Sequence, residues 1–415
     1  MATRSTPPAT SGQPNYTGPF IAVTTLFFIF GFITTLNMAL VPYLRKIIDL
    51  PQGMAALATS AFFLAYFVFS TPAAKLIEMI GYKRTIVVSL FVQVVGCLMF
   101  IPAAKSLSFP FFLAAVFVLG AGVTALQTAL NPYVTILGPE SSAPARLTLA
   151  QAFNSLGTTI APLVGGFFLL KETGNMDKTA IAEAVRIPYL AVAGALLILG
   201  VAVAFFNLPA VTQTQSFRPG KEGDSILNRS IWSFRHTVLA AVGIFLYVGV
   251  EVTLGTFAIA FFLTQGVPNA EKASFLMSFY WGGALVGRLL GSWMLTKIQA
   301  GKLLMLFGAA GTVMLIISML TTGHVAVWAV ILCGFCNSIM FPNIFALGVA
   351  GLGPLTSKGS GLITTAIVGG AVVPWVMGLA IDHFGGNVQH ALFIPLICYI
   401  FIAYYGLSGH KQKTA

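Results

Sequence analysis

Long apolar runs alternate with short polar turns along the whole chain. They predict helices near residues 19–43, 55–79, 84–104, 109–138, 147–171, 186–208, 237–263, 271–296, 302–321, 325–352, 358–382 and 388–409. Each run meets the length of about 20 residues that a helix needs to cross the hydrocarbon core of a bilayer. The longest polar interval is 209–236, which holds Arg218, Lys221, Arg229 and Arg235. It divides the helices into two sets of six. The pattern predicts a tail at 1–18, an N-terminal half at 19–208, a linker at 209–236, a C-terminal half at 237–409 and a second tail at 410–415.

Composition turns this pattern into a membrane assignment. Hydrophobic residues are 57% of the 415 and charged residues only 8%, with a mean hydropathy of +0.90. So few charges cannot cover the surface of a soluble protein, and such hydropathy excludes a disordered one. The expected fold class is an all-α integral membrane protein with twelve transmembrane helices. The net charge of +11 comes from residues in short turns rather than from a basic, aromatic-rich stretch, so it does not point to nucleic acid. With the N-terminus inside, the inner side carries Arg4, Lys75, Lys83, Arg84, Arg146, Lys297, Lys302, Lys358, Lys411 and Lys413 together with the basic linker. The outer turns carry Arg45, Lys46, Lys105, Lys171, Lys178, Arg186 and Lys272. The inner set is roughly twice the outer one, which predicts cytoplasmic N- and C-termini in the inner (plasma) membrane. Residues 1–16 lack the basic-then-apolar order of a signal peptide and read as a disordered tail.

The two halves resemble each other. A single offset of 212 residues superposes Gly31 on Gly243, Gly96 on Gly308, Gly122 on Gly334, Asn131 on Asn343, Arg146 on Lys358, Gly157 on Gly369, Pro162 on Pro374 and Gly166 on Gly378. Glycine and proline coincidences carry most weight, because they mark kinks and close helix contacts. Two six-helix halves repeated in parallel are the architecture of major-facilitator transporters, with pseudo-symmetric halves around a midplane site. Leu76, Glu78, Gly81, Lys83 and Arg84 form L-x-E-x-x-G-x-K-R in a short turn after the second helix, similar to the loop signature of that superfamily. There Glu78, Lys83 and Arg84 are expected to latch neighbouring helices.

Catalytic chemistry is not indicated. The five histidines have no Cys or acid at ligand spacing, Cys333 and Cys336 sit on an apolar helix as packing residues, and no P-loop pattern occurs. The chain is expected not to be an enzyme and to need no cofactor or metal. The signal lies instead in polar residues inside apolar helices, where they are costly and face cavities. These are Asn37, Gln127 and Asn131 on one face, Gln151 and Asn154, Tyr247 and Glu251 on one face, and Asn337 and Asn343 flanking Phe341 and Pro342, with Trp281 and Trp375 as aromatic walls. Side-chain amides offer donors and acceptors to sugar hydroxyls, so the expected partner is a small neutral sugar besides lipid. The competing role for each amide is interhelical hydrogen bonding. Glu251 is the acid deep in a span, and its burial is relieved by protonation, by a cation or by ligand hydrogen bonds. Arg288 stands near a helix end.

The sequence also resembles the fucose–galactose–glucose permease branch of the major facilitator superfamily. The resemblance is carried by F-F-I-F-G-F-I-T-T-L-N at 27–37, L-Q-T-A-L-N-P-Y-V at 126–134, G-P-E-S-S at 138–142 and R-L-T-L-A-Q-A-F-N-S-L-G-T-T at 146–159. F-L-Y-V-G-V-E-V at 245–252, W-G-G-A-L-V-G-R at 281–288 and N-S-I-M-F-P at 337–342 extend it. It implies a cation-coupled sugar symporter, and it implies that Gln151 and Asn154 line the sugar site. Two positions depart from the branch: Met38 stands where many members carry Asp, and Gln127 stands where the fucose permease carries Glu. The resulting expectation is import of a hexose or N-acetylhexosamine by alternating access, coupled to H+ in preference to Na+ at Glu251. An uncoupled sugar uniporter and an exporter of lipophilic compounds are the alternatives, and a monomer is expected.

Overall fold

A computed structural model describes residues 17–48, 52–106, 108–169, 178–206 and 229–412, with side chains outside 36–59, 104, 162–185 and 188. The expected tail at 1–16, most of the linker and residues 413–415 therefore lie outside the described residues. Within them the chain is helical, without strands. The helices are α1 (Thr17–Ile48), α2 and α3 (the two arms of Gln52–Ser106), α4 (Phe109–Ile136), α5 (Ala143–Leu169) and α6 (Lys178–Phe205). The second half comprises α7 (Arg235–Thr264), α8 (Ala270–Met294), α9 (Ala300–Leu320), α10 (Gly323–Val349), α11 (Gly353–His383) and α12 (Val388–Gly409). The ends lie within a few residues of the apolar runs, except that α6 begins earlier than expected, at Lys178.

The turn between α2 and α3 is a single residue. Gly81 adopts φ 81°, ψ 168°, a left-handed conformation that an L side chain resists. The glycine of the L-x-E-x-x-G motif is thus what lets two antiparallel spans meet without a loop. It puts Glu78 and Arg84 at one end of the bundle, hereafter the basic end, together with the turns α4–α5, α8–α9 and α10–α11.

Packing repeats between the halves. α1 lies on α5, α2 on α4 and α3 on α6, and the second half pairs α7 with α11, α8 with α10 and α9 with α12. Glycine sets the closest approach. A Cβ at Gly157 would stand 2.1 Å from the Phe28 carbonyl oxygen, and one at Gly369 would stand 2.0 Å from the Phe245 carbonyl oxygen. Side chains at these two positions would push α1 off α5 and α7 off α11. Other offset pairs have diverged. Gly96 meets Leu119 of α4 whereas Gly308 meets Ala403 of α12. Arg146 donates to the carbonyls of Val134, Thr135 and Pro139 and to the Ser142 hydroxyl, closing the C-terminal end of α4, whereas Lys358 is exposed.

Exposed apolar side chains such as Ile198, Phe205 and Leu320 lie on α6 and α9, an outer surface suited to lipid tails. The halves meet through α2 on α11, α5 on α8, α4 on α11 and α5 on α10. Hydrogen bonds across this seam gather toward the basic end. Ser357 donates to Glu78 Oε1 (3.0 Å), the Gly351 N–H donates to Glu140 Oε1 (3.0 Å) and Ser360 donates to the Thr128 carbonyl (2.7 Å). Gly361 lies against Ala74 and the Ser70 carbonyl, close enough that a Cβ would stand 2.7 Å from the alanine methyl.

Candidate functional site

Tyr247, Glu251 and Gly255 recur every four residues on α7, so they share one face. Trp281 and Arg288, two turns apart on α8, face them. Tyr247 donates to Glu251 Oε1 at 2.8 Å, and an Arg288 Nη2 lies 3.6 Å from the same oxygen. Trp281 covers Gly255, where a Cβ would touch the indole at 3.4 Å. The carboxylate is 20% exposed and the guanidinium 12%. The pair therefore sits in a partly desolvated environment, where attraction between charges is stronger than at a surface. Glu251 is not a lone acid, as the charge pattern alone suggested. Its partner is an arginine that the chain order put near a helix end.

On the other half the amides form a short chain. Gln151 Nε2 points to Asn131 Oδ1 at 3.5 Å, joining α5 to α4. Asn154 Nδ2 donates to the Phe27 carbonyl at 3.1 Å, joining α5 to α1. Both side chains are buried, at 7% and 8% exposure, and Asn131 is fully buried with its Nδ2 unpartnered. Gln127 Nε2 donates to the Tyr66 hydroxyl of α2 at 2.8 Å. Ser155, next to Asn154, donates to the Gln151 carbonyl and accepts from Arg288 Nη1 across the seam between the halves. The α5 face and the α7–α8 face are thereby brought to one region of the molecule.

The remaining expected residues lie elsewhere or are used differently. Asn337 is 1% exposed and bonded on both sides: its Nδ2 donates to Tyr280 and its Oδ1 accepts from Tyr399, each at 2.7 Å. It ties α8, α10 and α12 together. Asn343 is fully buried with both side-chain atoms unpartnered. Trp375, in α11, is exposed. The side chain of Asn37 lies outside the described residues. At the basic end Glu78 accepts from Ser357, while Lys83 is half-buried and Arg84 exposed.

Sequence reasoning missed Arg288, Ser155, Tyr66, Tyr280 and Tyr399. The tyrosines carry no signal in the chain, since the offset of 212 residues puts Tyr66 on Ser278 and Gln127 on Ile339. Tyr66 to Gln127 and Tyr280 to Asn337 are the same device in the two halves, a tyrosine on the second helix bonded to an amide on the fourth. The signal that the chain does carry is proline. Pro132 and Pro342 have no N–H, so each leaves the carbonyl four residues earlier without its helical partner. Those carbonyls belong to Thr128 and Ser338. Ser360 takes the first and Arg288 Nε takes the second at 3.2 Å.

Residues 23–374 match the Major Facilitator Superfamily. The chain belongs to that superfamily. It is 45% identical over 406 residues to a glucose/galactose transporter of Brucella abortus, covering 97% of each chain. It is 31% identical to the L-fucose-proton symporter of Escherichia coli, covering 97% of this chain and 94% of that one. The crystal structure of a major-facilitator transporter, FucP, in the outward conformation superposes with a TM-score of 0.87 at 30% identity, over 96% of this chain and all of that one. The proton:xylose symporter XylE shares the fold at 12% identity, with a TM-score of 0.74. The fold is the twelve-helix major-facilitator fold, and the protein is a membrane transporter rather than an enzyme.

Proposed function

We propose that the chain imports a neutral sugar, a hexose or an N-acetylhexosamine, by alternating access in the inner (plasma) membrane, with the basic end and both termini in the cytoplasm. The observation that supports this most is the α5 face, where Gln151 and Asn154 stand beside the Ser155–Arg288 contact to the α7–α8 face. Uncharged amides there match hydroxyl groups. The one charge pair there among the described residues neutralises itself, so the region favours an uncharged ligand over an anion. Relatives named for glucose, galactose and fucose support the same class. A single chain supplies both halves, so a monomer suffices.

Coupling runs through Glu251. A proton is the favoured ion: it converts the carboxylate to a neutral acid that keeps a hydrogen bond to Tyr247. Sodium is disfavoured because the Arg288 guanidinium beside the same oxygen repels a second cation. Closure of the seam at the basic end matches a form open to the outside.

An uncoupled sugar uniporter is the nearest alternative, with Glu251 binding sugar alone. Export of lipophilic cations fits less well, because the acid is already paired. The test is uptake of radiolabelled glucose into proteoliposomes with unlabelled hexoses, N-acetylhexosamines and lipophilic cations as competitors. Competition by one neutral sugar class is expected. Competition and thermal stabilisation by the cations alone would overturn the reading.

A further inference from the structure

We infer that Arg288 is a positioning residue that transmits the charge state of Glu251 to the seam between the halves. The inference deepens the coupling part of the proposed function and rests on it.

The guanidinium is held from three sides. Nη2 faces Glu251 of α7 at 3.6 Å. Nε donates to the Ser338 carbonyl of α10 at 3.2 Å, which is available because Pro342 has no N–H to offer it. Nη1 donates to the Ser155 hydroxyl of α5, the only one of the three acceptors that belongs to the other half. Gly287 makes room for this arrangement: a Cβ there would stand 2.4 Å from Ser338 Oγ. The other titratable side chains around Glu251 are Tyr247 on its own helix and Tyr280 on α8, both fully buried phenols. Each is already engaged, Tyr247 with Glu251 and Tyr280 with Asn337.

Consider the removal of charge from Glu251. The guanidinium then remains in a partly desolvated seam with neutral acceptors alone, and a buried charge stripped of its counterion is strongly disfavoured. Relief comes from water reaching Arg288, which requires the α5–α8 contact to part. The Ser155 bond is the first to be lost, since it crosses between bodies that can move apart, while Ser338 moves with Arg288. Neutralising Glu251 therefore favours opening toward the basic end. Ser155 returns the signal to the sugar face, because its hydroxyl donates to the Gln151 carbonyl.

Ser360 provides a reporter. It is fully buried and bonded across the seam to Thr128, and the native cysteines Cys97, Cys333, Cys336 and Cys398 are all buried. Alkylation of Ser360→Cys is measured without sugar, in a background with the native cysteines replaced. Ser155→Ala, Glu251→Gln and Arg288→Gln are each expected to raise the rate by about tenfold, and the Glu251 and Arg288 changes together no more than either alone, the signature of residues acting as one unit. A purely structural loosening would instead give additive increases. Additive rates, or rates within about twofold of the parent for Ser155→Ala and Glu251→Gln, would overturn the inference. If Arg288→Gln does not yield a monodisperse protein, the same cycle is run with Ser155→Ala and Glu251→Gln. Because no sugar is present, failure here is separable from failure of the sugar assignment, which the competition assay reads.

Discussion

Single side chains on α5 divide between ligand contact and scaffold, and geometry predicts which is which. Gln151 has one long bond, 3.5 Å, to Asn131. Asn154 bonds the α1 backbone at 3.1 Å and lies over Gly31. Gln151→Ala is therefore expected to raise KM about tenfold, the equivalent of one ligand hydrogen bond, with little change in melting temperature. Asn154→Ala should raise KM and also lower the melting temperature, because it removes the bond that ties α5 to the α1 backbone. Uptake kinetics beside a thermal-shift assay check both. An Asn154→Ala protein as stable as the parent would remove the scaffold role. Much of this face was legible in the sequence, since an amide inside an apolar run needs a partner or a ligand. The partners themselves were not legible. Arg288 reads as an end-of-helix charge in chain order, and only the crossing of α7 and α8 brings it to Glu251. Asn337 reads as a cavity amide, and only the packing of α8 and α12 supplies two tyrosines that satisfy it.

The spans were legible to within a few residues, the start of α6 excepted, because lipid requires long apolar runs, and the offset of 212 marked Gly157 and Gly369 correctly as equivalent contacts. It failed at Arg146 and Lys358, where one basic residue closes a helix end and the other faces solvent. Identical spacing fixes where a residue stands in a repeat but not which groups lie beside it. Gly157→Ala is expected to destabilise the protein by about 1–3 kcal/mol, since the α1 backbone has no room to yield. A thermal shift smaller than that of an exposed-site control would contradict the close approach. Proline makes a second prediction at this scale. Pro132→Ala restores an N–H that competes with Ser360 for the Thr128 carbonyl. One such bond is worth about 1 kcal/mol, so the form open at the basic end should gain roughly fivefold in population. Protease or alkylation protection at the α10–α11 turn measures it, and unchanged protection would show that the freed carbonyl does not hold the seam.

At the scale of the whole molecule, two similar six-helix bodies are joined by a seam whose polar contacts collect at one end. Glu78 to Ser357 and Glu140 to Gly351 form its outer rim, and Arg288 to Ser155 its inner limit. Glu78→Ala is expected to lower the transport rate several-fold by weakening the closed form, whereas Lys83→Gln and Arg84→Gln should change it by less than about twofold, since Arg84 is exposed, Lys83 is half-buried, and charges open to solvent contribute little. Equal losses in all three would make the whole motif the latch. Proteoliposomes with an imposed proton gradient show whether the carboxylate held by Arg288 links an ion gradient to sugar movement. Glu251→Gln should abolish gradient-driven accumulation of the sugar while exchange of labelled for unlabelled sugar continues. Accumulation equal to that of the unaltered protein would contradict it.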